Sequence, residues 1–164
     1  MPTDTNPPFQ QLLEKLHEAV RDEVPSFDLE EEFEELLASA NTADQGAAAY
    51  YFWGVVAIHE LQWKQAEELL MKGLEYNSRI YIRGKLEFAL AQLKLWCDED
   101  LTQARSYANS AYESLSGFVG TPVLDSAAGL VNLIEWLMSN HLSSTDRLLA
   151  VLAGTAFFPG TDQA

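Results

Sequence analysis

Histidine, cysteine and clustered carboxylates are the residues through which this chain could move protons, attack a substrate or hold a metal. Their spacing fits none of those tasks. His17, His59 and His141 stand apart from one another. The run His59-Glu60-Leu61-Gln62-Trp63 opens like a zinc-protease helix, but the second histidine, which must lie four residues on to share the helix face, is missing. Cys97 has no cysteine partner at metal spacing, and as the single cysteine it cannot form an internal disulfide. Asp98-Glu99-Asp100 lacks the glycine and terminal glutamate of a calcium loop. Glu30, Glu31, Glu32, Glu34 and Glu35 read as the solvated face of a helix. There is neither a phosphate-binding glycine loop nor a nucleophile elbow. The reading is a non-enzyme with no catalytic residue, no metal ligands and no cofactor.

Composition narrows the partners. The 164 residues fit one domain, 1–164, and 48% apolar content supplies a core. Net charge is −15, and it is unevenly placed: residues 1–46 hold 12 acids and 2 bases, and the rest hold 13 and 8. Nucleic acid is excluded as a partner, because phosphate binding draws on clustered Lys and Arg. An anionic membrane surface would repel the chain for the same reason. The N-terminus, MPTDTNPPF, lacks the basic and apolar regions of a signal peptide. The best candidate, Leu148 to Phe158, is far short of the roughly 20 residues of a membrane span. With a lone cysteine, the expected location is cytoplasmic.

Apolar spacing is helical throughout. The first helix is expected from Pro8 to Glu23, with Phe9, Leu12, Leu13, Leu16 and Val20 as its stripe. The second starts at Asp28, with Glu31 at capping-box distance and Leu29, Phe33, Leu36 and Leu37 facing inward. Thr42, with Gln45 three residues on, opens AAAYYFWGVVAIHE, and WKQAEELLMKGLEYN follows after a turn. Further helices are expected over Tyr81–Trp96, Leu101–Leu115, Val123–Asn140 and from Ser143 or Ser144 to Ala153. The fold class is all-α.

Within this series Tyr50, Trp53, Gly54 and Ala57, then Ala66, Leu70 and Gly73, resemble the tetratricopeptide pattern of aromatic-x2-Leu-Gly-x2-Tyr on one helix and Ala-x3-Phe on the next. A second match, 38 residues on, runs through Phe88, Ala91, Gln92 and Leu95 to Ala104, Ala108 and Ala111, with Gln92 in the glycine slot. The resemblance implies antiparallel helix pairs stacked as a short right-handed superhelix. Residues 1–41 would be an acidic N-terminal pair, 42–116 two repeats, and 117–158 a C-terminal pair or cap. The small residues Gly54 and Ala66 would meet where the first pair crosses.

In this family the first helix of each pair lines a concave groove. Carried over, Tyr51, Val55, Ile58, Leu86, Ala89 and Leu93 would line it. One subclass clamps a C-terminal carboxylate with Lys, Asn and Arg; here those slots hold Tyr51, Val55, Leu86 and Leu90, so a carboxylate clamp is excluded. Arg79, Arg83 and Lys85 form a secondary basic patch. The expected function is that of a non-enzymatic adaptor or chaperone, binding a protein or peptide with apolar anchors. In architecture the chain looks like the small chaperones of bacterial type III secretion translocators. The alternatives are a permanent subunit or assembly factor of a larger complex and, from another class, an enzyme with a cryptic helical site. Self-association through the apolar surface is a further outcome.

Overall fold

The computed structural model describes residues 8–97 and 100–140. Among them are seven α-helices and no strand: α1 (Phe9–Arg21), α2 (Glu30–Ala38), α3 (Ala43–His59), α4 (Trp63–Leu74), α5 (Ile80–Trp96), α6 (Leu101–Leu115) and α7 (Pro122–Asn140). The all-α class is borne out. The helix expected after Ser143, and the candidate residues His141, Asp98 and Glu99, lie outside the described residues. The chain divides into two compact units, Met1–Ile82 and Arg83–Ala164. The division falls inside α5.

In the first unit, helix ends are set by local chemistry. Thr42 caps α3 by accepting from the Gln45 N–H at 3.2 Å, and the Gln45 side chain accepts from the Asn41 N–H at 2.8 Å. The capping box expected at Asp28 does not form. Pro25 instead starts a 3-10 turn, Ser26–Leu29, and α2 begins only at Glu30. Proline fixes φ near −60° and has no N–H to donate, so the chain turns there before the α-helix winds.

Phe33 of α2 is the unit's central side chain. It is fully buried, stacked on Trp53 with centroids 4.9 Å apart and tilted against Phe52 at 5.5 Å. His17 of α1 stacks on Phe52 with ring centroids 4.2 Å apart. Leu29 and Leu36 are buried with Phe33, while Glu31, Glu34 and Glu35 are exposed, as the helical spacing implies. Leu37 stays half-buried.

The α3–α4 pair crosses on small residues. A methyl at Gly54 would stand 2.7 Å from Leu70 Cδ2 and 3.7 Å from the Ala66 carbonyl oxygen. Glycine is needed here because the facing Leu70 is fully buried and has no room to retreat. Gly54 does face the Ala66 turn, with Leu70 as the nearer neighbour.

In the second unit, Ala91 and Leu95 of α5 join Leu101, Ala104 and Ala108 of α6 and Leu130, Leu133, Ile134 and Leu137 of α7 in one buried cluster. Asp100 caps α6, accepting from the Gln103 N–H at 3.0 Å. Helices α5 and α6 approach closely at Gly84, whose added methyl would stand 2.7 Å from Leu115 Cγ. Glu87 is buried there, accepting from Ser114 Oγ at 3.1 Å and pairing with Arg83 at 3.1 Å.

Candidate protein-binding surface

Of the six residues carried over to the groove, Tyr51, Val55 and Ile58 share one face of α3, three and four residues apart, and each is half-buried. Tyr51 lies beside Tyr81; burial first, then that neighbour, raises its pKa above the ordinary 10.0, so its hydroxyl stays protonated. Leu86, Ala89 and Leu93 are all buried, the most exposed at 3%. These three therefore offer a partner no surface. The cause is legible in α5 itself: its apolar residues run round the whole helix, and such a helix is buried on several sides.

Two of the three residues of the basic patch pair with the chain's own carboxylates. Arg79 pairs with Asp44 at 2.6 Å, and its backbone N–H donates to the same carboxylate at 2.7 Å, tying the α4–α5 link to the first turn of α3. Arg83 pairs with Glu87 on the next turn. Lys85 is half-buried, and desolvation lowers its pKa.

Large apolar side chains do reach solvent in the first unit, at positions the sequence reading passed over. Phe27, in the 3-10 turn, is 76% exposed, and Leu61, in the α3–α4 turn, is 67% exposed. Ser26 holds the two turns together. Its N–H donates to Glu60 Oε1 at 2.7 Å and its hydroxyl to Glu60 Oε2, so Phe27 and Leu61 each sit one residue from the same lock. Leu61 occupies the left-handed region at φ 61°. The Leu61 N–H bonds the Ile58 carbonyl and the Gln62 N–H bonds the Ala57 carbonyl, the paired bonds of a Schellman ending, whose left-handed position normally holds glycine. A leucine there costs about 1–2 kcal/mol.

From these two turns α2 and α4 run on, and between them opens a cleft of about 310 Å³ floored by α3. Tyr50, Trp53, Leu37 and Leu69 form its apolar wall; Glu30, Glu34 and Glu68 stand on its rim with Lys72. None of the three glutamates is paired with a cation among the described residues. Glu30 and Glu34, one turn apart, repel each other slightly. The Trp53 indole Nε1 is buried and has no hydrogen-bond acceptor. An unmet buried donor of this kind costs about 1–3 kcal/mol. Among the described residues no three of His, Cys, Asp and Glu are grouped to hold a metal ion.

Comparison with protein-family models, curated proteins and solved structures returns no match. The tetratricopeptide likeness thus rests on the motif residues alone. No described helix is long and apolar enough to cross a membrane.

Signals for the missed surface were present in the sequence. Phe27 breaks the spacing of the buried positions around it, and Leu61 stands where a helix ending with this turn wants glycine.

Proposed function

We propose that this chain is a non-catalytic protein-binding module, an adaptor or chaperone of the tetratricopeptide-like kind, and that it meets its partner through the Phe27–Leu61 edge of the first unit. The observation that carries this reading is Leu61. Its backbone sits where glycine would be relaxed, and its side chain is out in solvent, contributing little to the core. Strain that stability does not repay marks a position kept for another purpose. Phe27 beside it makes the apolar surface more than a single stray residue, and rigidly held aromatic anchors are the usual centres of protein interfaces. The small-residue crossing at Gly54 supports the repeat likeness, and the Ser26–Glu60 lock holds the edge in one shape before binding.

The groove first expected on α3 and α5 contributes at most Tyr51, Val55 and Ile58. The edge takes its place because its side chains are free to be covered.

A photo-reactive amino acid placed at Phe27 in the native host tests the proposal. The expected result is a discrete adduct with one protein, lost when Leu61 is replaced by Ser. Adducts arising only from positions in α6 or α7, with none from position 27, would contradict it.

A further inference from the structure

A second helix ending of the same kind leads into the Phe27–Leu61 edge. Helix α1 closes as α3 does: the Glu23 N–H bonds the Val20 carbonyl at 3.1 Å, and the Val24 N–H bonds the Ala19 carbonyl at 3.0 Å. Glu23 is thereby held in the left-handed region at φ 60°, three residues before Ser26 of the lock. Glu23 and Leu61 are the only non-glycine residues with positive φ among the described residues. Both side chains are exposed. The Glu23 carboxylate has no hydrogen bond or ion pair among the described residues, and neither Asp22 nor Asp28, both exposed, pairs with a cation there.

The charge around the edge has one sign. Between Arg21 and Lys64 the chain carries ten acids and no Lys or Arg. Acids alone would be a solvated surface, and two apolar side chains alone would not say what covers them. Here the two stand in the same chain segments, Phe27 next to Asp28 and Leu61 next to Glu60.

We propose that this edge docks a segment of a partner protein that carries Lys or Arg beside apolar residues. Phe27 and Leu61 receive the apolar residues, and Glu23, Asp22 and Asp28 receive the cation.

Charge complementarity selects that occupant. A second copy of this chain would bring the same acids to the same edge, and like charge turns it away. An anionic lipid surface is repelled for the same reason. A basic segment is drawn in from a distance, and its apolar residues then remove Phe27 and Leu61 from water. The Phe27 ring gives the methylene stem of Lys or Arg an apolar surface to lie on. Two closed helix endings and the Ser26–Glu60 lock already fix the backbone, so binding has little order to impose.

This inference rests on the protein-binding reading and narrows it to a basic, amphipathic partner segment. The experiment uses the full chain, labelled with nitrogen-15, and follows the backbone amide signals of Ser26, Phe27, Asp28 and Leu61. The probes are capped lysine–leucine, glutamate–leucine and lysine–serine peptides of equal length. The expected result is saturable shifts of these signals with the lysine–leucine peptide and none with the glutamate–leucine peptide. The lysine–serine peptide, which lacks the apolar anchors, should bind about tenfold more weakly or worse. The Glu23→Gln, Asp28→Asn double variant should weaken lysine–leucine binding by about fivefold or more. Both positions are exposed, so its melting temperature should stay close to that of the parent.

Equal affinity of the parent and the double variant overturns the proposal, because the acids then select nothing. So do shifts confined to α6 and α7. Shifts at the four amides when the chain alone is concentrated also overturn it, since the edge would then be a contact between copies. Repeating the Phe27 cross-link in the native host with the double variant separates the two readings. An adduct that persists undiminished sinks the basic segment and leaves the protein-binding function standing. Absence of any adduct from the parent chain would sink the function.

Discussion

At the residue scale, Gly54 and Tyr51 show how tightly single side chains are specified in the first unit. Gly54→Leu would drive a side chain into the space already filled by Leu70, and overpacking a closed crossing costs about 1–3 kcal/mol or more. Chemical denaturation should record that loss. Gly117→Ala is the matching control, because nothing lies within 4 Å of a methyl there and stability should hardly move. Tyr51 predicts a pH dependence. Burial raises its pKa in the folded chain above 10.0, so the native state keeps the proton where the unfolded chain begins to lose it. Its stabilising contribution is therefore complete below about pH 10 and is lost as pH rises through the folded value. Tyr51→Phe removes that titration, and thermal melts of the variant above pH 10 should fall less steeply than those of the parent. An identical fall would show that Tyr51 is not protected.

At the element scale, the ending of α3 ties stability to function. Leu61→Gly should relax the left-handed turn. The gain of about 1–2 kcal/mol is partly offset by the roughly 0.5–1 kcal/mol of extra chain entropy that glycine gives up on folding. The net is a variant that melts slightly higher and binds its partner more weakly. A variant that melts lower would mean that Leu61 stabilises the fold and is not held there for a partner. Much of this level was legible beforehand. The all-helical class, the starts of α3 and α7, the buried stripe of α2 and the meeting of Gly54 with α4 follow from spacing, capping residues and small-residue positions. Two things were not. The Pro25–Leu29 turn replaced a capping box because proline dictates the entry of the chain before Asp28 can cap anything. Leu86, Ala89 and Leu93 were assigned to a groove because motif spacing gives the face of a helix but not what lies over it, whereas the all-round apolar character of α5 already pointed to burial. The candidate surface was the least legible part. Exposure of Phe27 and Leu61 depends on a lock between Ser26 and Glu60, 34 residues apart in sequence.

At the scale of the whole molecule, charge is the governing quantity. Net −15 over 164 residues, with 12 acids among the first 46, produces self-repulsion in the folded chain. Salt screens that repulsion, with a Debye length near 10 Å at 0.1 M, so melting temperature should rise modestly as sodium chloride is added. A fall would mean that favourable ion pairs outweigh the repulsion. The same charge gives a basic partner a long-range attraction, and association with it should slow as salt rises. The most direct measurement of the account is hydrogen–deuterium exchange on the chain, alone and bound to the protein that cross-links at position 27. Protection is predicted over residues 26–37 and 61–72, which carry the Phe27–Leu61 edge and the helices α2 and α4 that run on from it. Protection confined to α6 and α7, with those two segments unchanged, would contradict it.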